Sequence, residues 1–107
     1  MKLKNKNTVQ LEARLFNGFA DTSRLAILKA LLYGKKSVGE IVKITGLSQP
    51  NVSAHLSCLK ECSLVVNEQD GKQVFYSLAN KDIAKLLSLG QKLLKTTSEN
   101  IYKCTRY

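Results

Sequence analysis

Several features common in other protein classes are missing from this chain of 107 residues. No run of about 18 apolar residues occurs, so no segment is expected to span a membrane. The first residues, Met1-Lys2-Leu3-Lys4-Asn5-Lys6-Asn7, are basic and polar, and no apolar stretch follows them. They do not read as a signal peptide, so a cytoplasmic location with reduced thiols is expected. There is no phosphate-cradling glycine loop, carboxylate pair or triad, which argues against an enzyme. Repeats, linkers and low-complexity tracts are absent as well, and the length suits one small domain over residues 1–107. Acidic residues are scarce: 8 against 17 lysines and arginines, a net charge of +9 with a pI near 9.6. A surplus of that size favours polyanionic partners, nucleic acid first. The three cysteines are an odd number and cannot form a closed disulfide framework within one chain.

The hydrophobic fraction of 44% fits a globular protein. So small a domain buries only roughly 60–70% of its unfolded surface, so dimerisation would add useful stability. Apolar residues at helical spacing (Leu11, Leu15, Phe16, Phe19) predict a first helix from Thr8 to Phe19. Asp21 predicts the N-cap of a second, with Leu25, Ile27, Leu28, Leu31 and Leu32 inward and Gly34 as its stop. Ser37-Val38-Gly39-Glu40 reads as a capping box for a third helix, with Ile41 and Ile44 as its buried stripe and Gly46 at its end. Ser48 then caps a fourth helix running to about Glu61, with Pro50 in its first turn and Val52, Leu56 and Leu59 inward.

After this the period changes to that of strands. Residues 64–68 and 73–78 predict a hairpin turning at Asp70-Gly71. A last helix starts at Asn80 or Asp82, with Ile83, Leu86, Leu87, Gly90, Leu93, Leu94 and Thr97 along one side. The expected organisation is an arm over 1–7, dimerisation helices at about 8–19 and 80–98, a DNA-binding unit over 37–78 and a tail over 99–107.

Two short capped helices followed by a hairpin describe a winged helix-turn-helix, mainly α with a β-hairpin wing, in which the second helix enters the major groove. Its outward residues would be Ser48, Gln49, Asn51, Ser53, Ala54 and His55. Asn and Gln pair with adenine edges, and Ser suits bases or phosphates. The wing would bring Lys72 and Gln73 to phosphates, with Lys35, Lys36 and Lys43 as positioning charge. His55, the sole histidine, has no companion histidine or carboxylate to make it good zinc evidence.

Cys58 and Cys62 stand at i and i+4, so both sulfurs leave one side of the fourth helix. Buried free cysteine is common, but Cys104 lies in a polar, aromatic-flanked tail with no core stripe to join. A third ligand is a reason for it. Three thiolates without a clear fourth nitrogen disfavour closed tetrahedral zinc and leave Cd(II) and Pb(II) as the best fits, Zn(II) being a further candidate. Lys60 and Lys103 are expected to moderate the charge and lower the thiol pKa values.

The chain resembles the ArsR/SmtB family of dimeric metalloregulatory repressors over roughly residues 10–95. The resemblance rests on Ala20-Asp21-Thr22-Ser23-Arg24-Leu25-Ala26-Ile27-Leu28, on Leu47-Ser48-Gln49-Pro50-Asn51-Val52-Ser53-Ala54-His55-Leu56, and on Gly71-Lys72-Gln73-Val74-Phe75-Tyr76-Ser77-Leu78. The subtype with Cys-x-Cys on the third helix is not matched, since that helix reads Ser37-Val38-Gly39-Glu40-Ile41. The histidine- and carboxylate-using zinc subtype is not matched either, because residues 80–100 hold no histidine. The CmtR type is similar: His55-Leu56-Ser57-Cys58-Leu59-Lys60-Glu61-Cys62 followed by Cys104. The resemblance implies a homodimer built on the first and last helices that represses when metal-free. Cd(II) or Pb(II) would bind Cys58 and Cys62 of one subunit and Cys104 of the other, releasing the operator. The tail ends three residues past its cysteine, a modest departure. Two rivals are a thiol redox switch on the same fold, Cys104 pairing more easily than Cys58 with Cys62, and a metal-storage or trafficking protein.

Overall fold

The computed structural model describes residues 6–104, with the side chains of residues 7–97. Five helices and three strands follow the order α1 (Lys6–Ala20), α2 (Thr22–Ala30), β1 (Lys36–Ser37), α3 (Val38–Thr45), α4 (Gln49–Glu61), β2 (Val65–Asp70), β3 (Gln73–Leu78) and α5 (Lys81–Cys104). The strands form an antiparallel sheet in the order β1-β3-β2. This is the expected winged helix-turn-helix, with one strand more than the sequence suggested.

The core lies where α2, α3 and α4 converge on the base of the sheet. Ile27, Leu28, Ile41, Val52, Leu56 and Leu59 are fully buried, and Leu64 and Val65 carry the core into β2. Burying such a side chain contributes about 1.5–3 kcal/mol each. The inner face expected for α4 is the observed one.

The boundaries differ in four places. First, α2 ends at Ala30, before Gly34, because its last turn tightens: Leu31 N–H donates to Leu28 O at 3.1 Å and Leu32 N–H to Lys29 O at 3.1 Å. Second, Ile44 is not part of the buried stripe of α3 and stands 56% exposed. The inward face runs through Val38, Ile41, Val42 and Thr45, the spacing an eight-residue helix presents to a neighbour. Third, Asp70 pairs with Gln73, so the hairpin loop is Gly71-Lys72, with Gly71 at φ 67°. Fourth, α5 runs past residue 98 to Cys104, six residues into the segment expected to be a tail. No proline or C-cap glycine stands in that stretch to stop it.

Asn80 starts α5: its side-chain oxygen accepts from Ile83 N–H at 3.1 Å. Ile83 and Leu87 are buried, whereas Leu89, Leu93 and Leu94 remain exposed. On α1, Val9, Leu11, Leu15 and Phe16 are exposed too. Between these helices lies an apolar groove of about 350 Å3, bordered by Phe16, Phe19, Leu25, Leu93 and Leu94. A lone protomer therefore leaves a contiguous apolar face on α1 and α5.

Candidate DNA-reading helix and thiol pair

Local caps set the angle between α3 and α4. Ser37 Oγ accepts from Glu40 N–H at 3.2 Å while Ser37 N–H donates to Glu40 Oε1 at 2.9 Å, the reciprocal pair expected of a capping box. Gly46 ends α3 in the left-handed region at φ 75°. Ser48 Oγ then accepts from Asn51 N–H at 3.3 Å, and Pro50 follows in the first turn. With Val52, Leu56 and Leu59 buried, Gln49, Asn51, Ser53 and Ala54 stand exposed on the outer face of α4.

His55 sits differently from its expected companions. It is half-buried, and its charge adds to the lowering of the Asp21 carboxyl below the usual range. The larger cause there is the Arg24 N–H that Asp21 accepts at 2.9 Å.

The wing carries Lys72 and Gln73 exposed at its tip. Lys43 is exposed on α3. Lys36 is drawn into β1, and its Nζ donates to Gly34 O at 3.4 Å. Lys35 is engaged elsewhere: its Nζ meets Glu68 Oε1 at 3.1 Å and lies 5.1 Å from the Phe75 ring centre. It ties the α2–β1 connection to the outer face of the hairpin. The Lys35–Glu68 pairing was not visible in the sequence, since the partners lie 33 positions apart.

Cys58 and Cys62 are both free and exposed at the end of α4. Cys62 is the C-cap, its N–H donating to Cys58 O at 3.0 Å. The chain then turns sharply. Ser63 N–H donates to Lys60 O at 3.0 Å and Leu64 N–H to Leu59 O at 2.9 Å, a Schellman closure in which Ser63 takes the left-handed conformation at φ 63°. Glycine usually fills that position.

Desolvation pushes the Cys62 thiol above its ordinary pKa, and the adjacent Cys58 and Glu61 add to the rise. Arg24 pulls the other way. The expected lowering by Lys60 is therefore not the outcome at Cys62, because burial and negative neighbours outweigh an exposed ammonium. Lys103 lies outside the described side chains, as does the thiol of Cys104. Among the described residues, no group of three His, Cys, Asp or Glu side chains could hold a metal ion.

The backbone does place Cys104, as the last residue of α5. It lies about 33 Å from Asp82 along that helix at the ordinary rise per residue. Asp82 and Cys62 border the same cleft. Arg24 is a further residue the sequence reading left without a task. Its guanidinium donates to Gly18 O and Asn17 O, both at 3.2 Å, closing the C-terminal turn of α1, which has no basic residue of its own. Its place in the Asp21-Thr22-Ser23-Arg24 motif was the available signal.

Comparison with known proteins agrees with this architecture. The bacterial regulatory protein, arsR family, profile matches residues 21–66. A probable mercury resistance operon repressor of Streptomyces lividans is 39% identical over 94 residues, covering 88% of this chain and 75% of that protein. The transcriptional regulator CmtR of Mycobacterium tuberculosis is 47% identical over 75 residues, covering 70% of this chain and 64% of that protein. The solution structure of that cadmium metal-sensor superposes with a TM-score of 0.63 at 46% identity, over 71% of this chain and 79% of that one. The homodimeric winged helix-turn-helix DNA-binding domain of Mb0332 from Mycobacterium bovis superposes with a TM-score of 0.77 at 30% identity, over 94% of this chain and 95% of that one. These are DNA-binding transcriptional regulators and not enzymes. By fold, capping pattern and thiol spacing together with these relationships, the chain belongs to the ArsR/SmtB family of bacterial regulatory proteins and is of the CmtR type.

Proposed function

We propose that the chain is a homodimeric repressor whose grip on operator DNA is released by Cd(II) or Pb(II), with derepression of a metal efflux or resistance gene. The observation that carries this reading is the layout of α4. Its exposed N-terminal half offers Gln49, Asn51 and Ser53, while its last turn offers the exposed Cys58 and Cys62. One rigid element joins a base-reading surface to a soft ligand pair.

The donor set suits a soft ion. Two exposed sulfurs one turn apart supply two thiolates after loss of their protons, and Cys104 supplies the third. An intact α5 carries a protomer's own Cys104 about 33 Å along the helix from Asp82, which borders the same cleft as Cys62, and this favours delivery by the second subunit. The apolar face of α1 and α5 supports such pairing, and the Mb0332 domain is a homodimer. A bound soft ion supplies a cross-link between thiolates of two chains.

The chain's own residues do the rest. Cys58 and Cys62 tether the end of α4, and the Schellman turn at Ser63 passes any displacement of that end into β2. Gln49, Asn51 and Ser53 of the two subunits are then fixed at a separation that no longer fits successive major grooves. Release requires only that the ion prefer the weak-binding arrangement by about 1–3 kcal/mol.

Fluorescence anisotropy with DNA from upstream of the chain's own gene, with and without Cd(II), tests the reading. The expected result is tight metal-free binding that weakens at least about fivefold with one Cd(II) per protomer. Unchanged affinity rejects it. Loss of binding with peroxide, restored by dithiothreitol and indifferent to Cd(II), would instead support a redox switch on the same thiols.

A further inference from the structure

The positive charge of this chain is not gathered on the helix that reads bases. α4 carries a single lysine, Lys60, with Glu61 beside it. Lys35 and Lys36 are engaged by Glu68 and by Gly34 O. Four lysines stand instead on α5. Lys81, Lys85, Lys92 and Lys95 are exposed, and with Ser88 they recur at the four-three spacing of one helix face over about 21 Å. Asp82 is the sole acidic residue from 81 to 97. Among the described residues the one ion pair joins Lys35 to Glu68, so all four ammonium groups are left without a carboxylate.

Along this stripe lies a groove of about 610 Å3 between α5 and the end of α2. Lys85, Ser88 and Lys92 border it from α5, and Tyr33, 90% exposed, borders it from the turn after α2. Ammonium and hydroxyl groups are the side chains that hold phosphates. The apolar groove against α1 shares no residue with this one: Leu86, Gly90 and Leu94 border the first, Ala84, Lys85, Ser88 and Lys92 the second. The stripe therefore stands clear of that groove.

We propose that this stripe is a second surface for double-stranded DNA, gripping the phosphate backbone without regard to sequence. Charge and length argue for that occupant. A duplex presents a phosphate about every 3.4 Å along each strand, so a stripe of about 21 Å faces about six phosphates of one strand. Lysines repeated at one spacing match a regular anionic array, and the hydroxyls of Tyr33 and Ser88 add neutral donors beside them. Placement agrees. α5 follows the Leu78 end of β3, the end away from the Lys72–Gln73 tip, so the stripe begins at the root of the wing. It lets one assembly hold a further stretch of duplex besides the one its recognition helices read. Neither the thiols nor a bound ion takes part, so the surface goes beyond the proposed sensing.

Salt titration of anisotropy with a non-operator duplex, on the full chain with chelator present, tests this. With Lys81, Lys85, Lys92 and Lys95 all changed to Gln, the slope of log affinity against log salt should lose about three to four units per protomer. The pair Lys85→Gln and Lys92→Gln alone should lose about two, and fourfold replacement by Arg should keep the slope. Tyr33→Ala separates contact from the general field of the chain, because it changes no charge: binding should weaken about fivefold with the slope unchanged. An immobilised duplex carrying the unmodified chain should also capture a second, labelled duplex, and the fourfold Gln variant should not. A slope change below one unit per protomer, affinity indifferent to Tyr33→Ala, or no captured second duplex each overturns the proposal. So does stripe-dependent binding that is tighter to duplex RNA or to phosphatidylglycerol vesicles than to duplex DNA. Operator release by Cd(II) is read on a different duplex, so either reading can fail while the other holds.

Discussion

Leu64 N–H reaches back to Leu59 O at 2.9 Å, and both side chains are buried in the same core. The one bond fixes where α4 stops, where β2 starts and how Cys62 is presented between them. It also forces Ser63 into a left-handed conformation in which an L side chain costs of order 1 kcal/mol.

Ser63→Gly should relieve that cost. We expect stabilisation by about 1 kcal/mol, read as a higher urea midpoint with unchanged slope at fixed protomer concentration. A destabilised variant would mean that the Ser63 hydroxyl matters more than its backbone.

Acid should loosen the starts of α2 and α3 through their caps. Asp21 and Glu40 both sit below their ordinary pKa because each accepts a backbone N–H, from Arg24 and Ser37 respectively. A carboxyl depressed in the folded state stabilises above its unfolded pKa, and that stabilisation is lost as pH falls through the folded value. Stability should thus decline from about pH 4 downwards. Asp21→Asn and Glu40→Gln should each flatten the decline in thermal melts taken across that range.

The two lysines flanking the wing should behave differently. Lys72 is exposed at the hairpin tip, whereas Lys35 is held by Glu68 and Phe75. Lys72→Ala should weaken binding alike across operator sequences and reduce the salt slope of the affinity by about one per protomer. Lys35→Ala should leave that slope unchanged and cost at most about 1 kcal/mol of stability, the pair being exposed.

Leu93 is 60% exposed in the protomer, beside Leu94 and the α1–α5 groove. If that face joins two subunits, Leu93→Arg should give a folded monomer by light scattering that no longer binds the operator. A dimer of unchanged affinity would place the interface elsewhere.

Cys58→Ser should abolish the cadmium-thiolate ultraviolet absorption expected of a three-sulfur site and leave metal-free operator affinity within about twofold, since Cys58 is exposed and outside the core. A large loss of metal-free affinity would assign the thiol to DNA contact.

Much of the fold was legible because its signals are local. Ser37 with Glu40, Ser48 with Pro50, and Gly46 each act within one turn, and all three stand where expected. What escaped was non-local. The two residues of β1 are a strand only because β3 lies beside them. Ile44 and Val42 look alike in sequence, and only the direction from which α4 packs decides which is buried. Lys35 was expected as positioning charge, and its contacts with Glu68 and Phe75 left no local trace because they are made across space. Ile101 and Cys104 continue the spacing of Leu87, Gly90, Leu94 and Thr97, so the extension of α5 to Cys104 did leave a periodic trace, obscured by the polar residues between them. Cys58 and Cys62 were legible as a pair from spacing alone, whereas their distance from Cys104 depends on how far α5 persists.

Lys36 and Ser37 pair with Tyr76 and Phe75, so the short strand before α3 is stitched to the wing. The wing is consequently tied to the start of α3 as well as to the end of α4, which leads directly into β2. In the proposed dimer, adaptation to an operator, or refusal of one, would then come from the angle between the two halves of the assembly. A change too small to notice at a protomer's root becomes ångströms at its far end.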